Sequence, residues 1–393
     1  MKPIYLDHSA TTPVHPEVLT AMISFFANHF GNPSSIHREG RLAREAVEGA
    51  RARVAALIGA APAEIVFTSG GTEADNLALL GTAFVEKQGR NQIITSTIEH
   101  HAVENACRHL AECGFEVTFL PVDGEGRVNP DDVPKVITEK TFLISIMHAN
   151  NEIGTIQPLR EIGAIARERG VLFHTDAVQS VGKIPVAVAD LGVDLLSIAG
   201  HKISGPKGTG ALYVRRGTEL APITFGGHQE GNLRNGTENV PGIVGLGKAC
   251  EIARRDLASQ MTHLRTLREL LEERIRAEIP DIRVHGHPLE RLPQLLSVSF
   301  AGVSGEALVR ELDLRGIAVS AGSACTAGST KISHVLAALG MPEALAVGTV
   351  RFSLGRDNTE EEIGRAVSIL KALVEKRRIL AELEGSVGGR GCR

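Results

Sequence analysis

An apolar run, Val193-Asp-Leu-Leu-Ser-Ile-Ala199, ends in Gly200-His-Lys202 and a turn, Ile203-Ser-Gly-Pro-Lys-Gly208. Ala211-Leu-Tyr-Val214 then resumes the apolar pattern. A lysine between two strand-like segments is badly placed for a solvated charge. Partial desolvation would make Lys202 a nucleophilic amine able to form a Schiff base. The alternative is that Lys202 snorkels out at a strand end. Two further residues could carry chemistry. Cys325 lies in Gly322-Ser-Ala-Cys-Thr-Ala-Gly328, whose small residues can neither bury a thiol nor hold it still, so an accessible nucleophile is expected there. Arg351 lies in an apolar strand, where its guanidinium needs an anion: a substrate carboxylate, or an internal Asp or Glu.

A lysine-bound cofactor such as pyridoxal phosphate would need company, and strand ends supply it. Strands are expected over 64–68, 92–97, 115–120, 141–147 and 171–176, alternating with helices over 73–86, 99–113 and 158–169. This is the rhythm of a mostly parallel α/β sheet, which binds ligands at the carboxyl ends of its strands. Ser69-Gly-Gly-Thr72 feeds a helix N-terminus, an anion site for a phosphate at Gly71 and Thr72. Thr72 and Asp75 have capping-box spacing, with Asp in the acidic position. Asp176 could keep a ring nitrogen protonated, Gln179 and Asn151 could meet a ring oxygen, and His100 could cover a ring face. Each has a plainer reading: Asp176 as a turn cap, His100 as a helix-start residue facing water.

Earlier elements are a strand at Ile4–Leu6, a polar turn over 7–13, and helices over 16–29 and 38–57. After Val214 comes a polar, glycine-rich loop over 226–237, then a long helix from Pro241 that acts as a spine. The remainder reads as α+β: strands over 295–301, 317–320 and 349–354, helices over 306–314 and 332–339, and a last helix ending near Leu383. The expected division is a large domain over 15–258, a small domain of 1–14 and 259–384, and a disordered tail over 385–393.

The 393 residues are 43% hydrophobic and carry a net charge of −4, which favours neither nucleic acid nor an anionic membrane. Five cysteines form no metal spacing. Cys107, Cys113 and Cys250, in helices, are expected to be core or inert, and Cys392 exposed. With no apolar leader and no membrane-length stretch, a reducing cytoplasmic setting is expected.

Several motifs together resemble the cysteine desulfurases, fold-type I pyridoxal phosphate enzymes of the class-V aminotransferase group. They are Tyr5-Leu-Asp-His-Ser-Ala-Thr-Thr-Pro13, Phe67-Thr-Ser-Gly-Gly-Thr-Glu-Ala-Asp-Asn76, Glu99-His100, Met147-His-Ala-Asn-Asn-Glu-Ile-Gly154, His174-Thr-Asp-Ala-Val-Gln-Ser180, Gly200-His-Lys-Ile-Ser-Gly-Pro-Lys-Gly208, Arg234-Asn-Gly-Thr237, Ser323-Ala-Cys-Thr326 and Val350-Arg-Phe-Ser-Leu-Gly355. They span nearly the whole chain. The cysteine segment resembles the long-loop group that supplies iron–sulfur cluster assembly.

The resemblance implies an α/β fold: a large domain with a mostly parallel, seven-stranded sheet under helices, and a smaller α+β C-terminal domain. It implies that Lys202 carries pyridoxal 5′-phosphate. Gly71, Thr72 and His201 would hold the phosphate, and Thr237 would reach the phosphate in a neighbouring subunit, making a homodimer. Asp176 would pair with the ring nitrogen, Gln179 and Asn151 with the ring oxygen, and His100 would stack and move protons. Arg351 and Asn151 would bind the substrate, L-cysteine. Cys325 would take its sulfur as a persulfide, leaving L-alanine, and pass it to an iron–sulfur scaffold or another acceptor for tRNA or cofactor thiolation. No resident metal is implied, only transient contact of Cys325 with a scaffold-bound cluster. One departure stands out. Ala199 occupies a position where many relatives have a phosphate-binding serine, so slightly weaker cofactor retention is expected. Three rivals remain: an aminotransferase, which would need no Cys325; a selenocysteine lyase; and a non-catalytic sulfur carrier, which would need neither Lys202 nor Asp176.

Overall fold

The computed structural model describes residues 3–86, 89–322 and 332–388. In chain order the strands are β1 (Ile4–Tyr5), β2 (Ile65–Thr68), β3 (Gln92–Ser96), β4 (Glu116–Leu120), β5 (Thr141–Ser145), β6 (Leu172–Asp176) and β7 (Leu195–Ala199). They continue as β8 (Gly210–Val214), β9 (Ile282–His285), β10 (Leu295–Phe300), β11 (Ile317–Ala318), β12 (Ser320–Ala321) and β13 (Thr349–Ser353). Among the described residues they form a seven-stranded sheet in the order β2-β8-β7-β6-β5-β3-β4, a four-stranded sheet β12-β13-β10-β9, and the pair β1-β11.

In the large sheet only β8 runs against its neighbours. The other pairings are parallel, as the strand–helix rhythm predicts. Strands β5 and β7 are buried along their whole length, because helices cover both faces. One core lies between the sheet and the helices Arg38–Ile58 and Leu159–Arg169. The other lies against Gly71–Val85 and His101–Glu112. Gly170, at φ 64, ends the Leu159–Arg169 helix in the left-handed region, where a side chain would be strained, and turns the chain into β6.

The spine helix spans Val240–Glu278. Its first turns, Val240 to Ile252, pack into the large-sheet core. Its later turns, Leu264 to Ile275, pack with Phe300, Phe352 and the last helix in a second core. The expected boundary at 258/259 falls inside this helix.

Several elements differ from the sequence reading. The strand expected over 317–320 is two: β11 pairs with β1, and β12 with β13. β9 was not foreseen; it is a four-residue edge strand after Asp281, whose φ is 52. The last helix is Glu360–Gly388, so residues 385–388 continue it instead of starting a disordered tail. One Gly at 385 costs about 1 kcal/mol of helix propensity, which a helix already several turns long can absorb. Residues 389–393, with Cys392, lie outside the described residues. No described helix is long and apolar enough to cross a membrane.

Helices Arg38–Ile58 and Val240–Glu278 meet at backbone distance: a Cβ on Gly247 would lie 2.6 Å from Ala50 Cα. Gly247→Val should therefore lower stability by about 1–3 kcal/mol. Urea denaturation should show a lower midpoint with an unchanged slope. An unchanged midpoint would show that this contact gives way freely.

Candidate active site

The N-terminal segment 7–12 crosses the ends of β6 and β7. Thr12 N–H donates to the His201 carbonyl at 3.0 Å, and its hydroxyl does so at 2.8 Å. Ser9 N–H donates to Ser353 Oγ on β13 at 2.8 Å. This strap joins the large sheet to the small one and roofs a cavity of about 300 Å³ at the strand ends. Gly71, Thr72, His100, Asn151, Asp176, Gln179, His201, Lys202 and Arg351 all line it. One expected site residue is elsewhere. Thr237 is exposed on the 226–237 loop and does not line this cavity. Cys325 lies outside the described residues.

Lys202 is at the end of a short turn, Gly200–Lys202, that follows β7 directly. It does not snorkel out. Its Nζ donates to the carbonyls of Ser9 at 2.5 Å and Ala10 at 2.8 Å. An ammonium has only donors, so two carbonyls fix its direction. Gln179 Nε2 donates to the same Ser9 carbonyl at 3.0 Å. His201 Nδ1 meets Thr11 Oγ1 at 3.1 Å, and burial, then Lys202 and Lys207, lower its pKa to about 4.

The helix Gly71–Val85 opens on the cavity. Its N-cap, Gly70, offers no side chain to the first N–H groups. A Cβ on Gly71 would come 2.7 Å from Val178 Cγ2, so glycine lets the helix end lie against the strand tip. The capping box expected of Thr72 and Asp75 does not form. Instead Glu73 accepts from Ser69 N–H at 2.7 Å and pairs with Arg234 at 2.8 Å, tying the 226–237 loop to the helix start. Asp75 faces inward because it falls on the buried side of the helix, only 1% exposed. It lies 3.6 Å from His174 Nε2. Burial, then Asp176, raise its pKa well above the carboxylate range.

Asp176 ends β6. Its Oδ1 accepts from Val178 N–H at 2.9 Å, so the turn-cap reading holds too. Burial raises its pKa, while His100, the Val178 N–H and Lys202 pull it back. Of the two neighbouring carboxyls Asp75 keeps the proton, because no cation offsets its burial. His100 is the N-cap of its helix, with Nδ1 accepting from Ala102 N–H at 3.1 Å. That bond places the proton of the neutral ring on Nε2. His100 is therefore both a helix-start residue and a wall of the cavity.

Arg351 has the internal carboxylate partner that one of its two readings called for. Its Nη2 pairs with Asp7 at 3.0 Å and its Nη1 donates to the Asn151 carbonyl at 2.9 Å. Its buried Nε has no partner among the described residues. Two more buried carboxyls flank the site. Glu99 takes Ser96 Oγ at 2.6 Å and Met147 N–H at 3.0 Å, and burial pushes it up to about 8. Glu152 takes Ser333 Oγ at 2.5 Å, and burial pushes it up to about 7. Cys107 and Cys250 are buried, with burial raising both thiols to about 12. Cys113 is exposed, not core, because it caps the C-terminal end of its helix.

These residues fit pyridoxal phosphate on structural grounds. Ser9 and Arg351 line the cavity, and beside it the buried Ser9 Oγ and Arg351 Nε have no hydrogen-bond partner among the described residues, leaving polar capacity next to a polar ligand. An uncapped helix end suits its phosphate, the Asp176 carboxylate a ring N–H, and Lys202 an aldehyde.

Residues 4–365 match the class-V aminotransferase family. The chain is 50% identical over 378 residues to the cysteine desulfurase IscS of Dictyoglomus turgidum, covering 96% of each. It is 49% identical over 382 residues to the cysteine desulfurase IscS of Methanosarcina thermophila, covering 97% of this chain and 94% of that one. Among solved structures it is similar to a NifS-like protein, with a TM-score of 0.90 and 39% identity over 95% of this chain and 99% of the other. The family's cofactor is pyridoxal 5′-phosphate. A strand-end cavity lined by Lys202, Asp176 and an open helix N-terminus, in a chain matched along nearly its whole length, has one consistent assignment: the chain belongs to the class-V aminotransferases and, within them, to the cysteine desulfurases.

Proposed function

We propose that this protein converts L-cysteine to L-alanine, holds the sulfur as a persulfide on Cys325, and delivers it for iron–sulfur cluster assembly. The observation that carries the reading is the convergence of Lys202, Asp176, His100 and Arg351 on one cavity. The half-identity to named cysteine desulfurases supports the substrate.

Bound pyridoxal phosphate supplies an electron sink for the substrate's Cα. Lys202 would hold it, and the Lys202 Nζ would accept the Cα proton and later return it to Cα. The Ser9 and Ala10 carbonyls hold that amine at the strand end. Asp176 would hold a negative charge toward the ring nitrogen. Asn151 and Gln179 would hold the ring oxygen, and His100 would cover the ring and move protons. Arg351, steadied by Asp7, takes the substrate carboxylate. The Cys325 thiolate attacks the substrate sulfur. An S–S bond forms, the Cβ–S bond breaks, and its electron pair stays on Cβ, which is protonated to the methyl of alanine. The carbon is reduced and the protein thiol is oxidised to a persulfide. An acceptor protein or thiol must then remove that sulfur before the next turnover.

Exposed Thr237, on a loop fixed by Arg234 to the phosphate-side helix, is assigned to the cofactor of a second copy, which makes the active form a homodimer. A thiol that cycles through a persulfide needs a reducing compartment, and we place the protein in the cytoplasm.

The direct test is purified, cofactor-loaded protein given L-cysteine and a thiol reductant. Alanine and sulfide are expected in equal amounts over many turnovers. A cofactor spectrum with no alanine would remove the desulfurase reading. Lys202→Ala should cut alanine release by at least about 100-fold; a smaller drop would move the proton-accepting role elsewhere. Cys325→Ser should keep the cofactor spectrum and stop sulfur transfer, and normal alanine release from it would contradict the nucleophile assignment. Ala199, which lines the cavity, lacks a hydroxyl for the phosphate. Ala199→Ser should tighten cofactor binding by about 1 kcal/mol, read as a lower dissociation constant. An unchanged constant would contradict that role.

A further inference from the structure

Beside the cavity, three side chains that the proposed reaction does not use converge. His101 and Glu104 lie one turn apart on the helix His101–Glu112. His334 opens the helix His334–Ala338. His101 Nδ1 is 3.0 Å from Glu104 Oε2, and His334 Nε2 is 4.0 Å from the same oxygen. All three donor atoms lie within 4.8 Å of one another. The two imidazoles face each other, with centroids 4.8 Å apart and 37° between their planes.

We propose that His101, Glu104 and His334 bind a divalent transition-metal ion of the zinc type. Two imidazoles and a carboxylate are a borderline-soft donor set suited to zinc, cobalt or nickel. Tetrahedral zinc, with bonds of about 2.0–2.2 Å, spaces its donors about 3.3–3.5 Å apart. The two spacings to Glu104 Oε2, 3.0 and 4.0 Å, bracket that value, and small side-chain rotations would bring the third donor in. The carboxylate is also braced from behind. Arg108 donates to Glu104 Oε1 through Nε at 3.0 Å and Nη2 at 2.7 Å, leaving Oε2 toward the imidazoles, as outer-shell partners of metal ligands do. His334 Nε2 now meets the Glu99 carbonyl at 2.9 Å. Ligation replaces that hydrogen bond, water completes the shell, and the carbonyl is placed to accept from it. The side chains of His101, Glu104 and His334 are 34%, 15% and 28% exposed, which leaves a hydrated ion a way in. Sequence spacing could not show the site, because His334 is far from the other two in the chain. The proposal does not depend on the desulfurase reading.

The test is Co²⁺ and Zn²⁺ binding to cofactor-loaded protein carrying Cys325→Ser, Cys113→Ser and Cys392→Ser. Those changes leave only the buried thiols of Cys107 and Cys250 and remove Cys113, which sits 3.9 Å from His109. The expected result is one metal per chain, with the visible absorption of four-coordinate Co²⁺. His101→Ala and His334→Ala should each weaken binding by more than about 100-fold, beyond the usual outer-shell loss. No binding, or binding unchanged in both variants, would overturn the proposal. Should a histidine variant lose its cofactor absorption, Arg108→Ala decides. A loss of about 10–100-fold supports the site and an unchanged constant overturns it.

Discussion

The site depends on where one amine is held. Lys202 Nζ lies between the carbonyls of Ser9 and Ala10, and these belong to the first residues of the chain, not to the sheet that carries the lysine. The strap that supplies them is pinned to both sheets. Thr12 bonds to the His201 carbonyl, Ser9 to Ser353 on β13, and Asp7 to Arg351. Through Asp7, the grip on Arg351 and the grip on Lys202 come from the same stretch. The amine at one end of the cavity and the guanidinium at the other are therefore set by a single segment bridging two sheets.

Electrostatics then divides the labour among buried carboxyls. Asp75, Glu99 and Glu152 are each pushed up by burial, and none is relieved by a close cation strong enough to reverse it. Asp176 differs because His100, the Val178 N–H and Lys202 all favour its charged form. Desolvation raises all four, and at Asp176 His100, the Val178 N–H and Lys202 work against it. Of the two carboxyls on the cavity wall, Asp75 and Asp176, it is Asp176 that has a cation, Lys202, favouring its charge.

The sheet and most of the wall were legible in the sequence. Apolar runs ending in polar residues located β3, β5, β6 and β7, and His100, Asn151, Asp176, Gln179 and Lys202 follow from those ends. What failed depended on contacts between distant segments. The turn over 7–13 carries no local sign that its carbonyls hold Lys202. Asp75 looked like a capping residue because spacing cannot tell which side of a helix start faces the core. Arg351 was read as needing either a substrate or an internal partner, and folding supplies the second while leaving Nε without a partner among the described residues. Cys113 could be read as core because a helix end and a helix interior read alike over four residues.

One measurement bears on the central claim most directly: the mass of the peptide containing Cys325, taken from cofactor-loaded protein exposed to L-cysteine without an added acceptor and then alkylated. The account predicts one extra sulfur atom on Cys325, and none on that peptide when Lys202→Ala is treated the same way. Extra sulfur on another cysteine, or none anywhere while alanine accumulates, would contradict it.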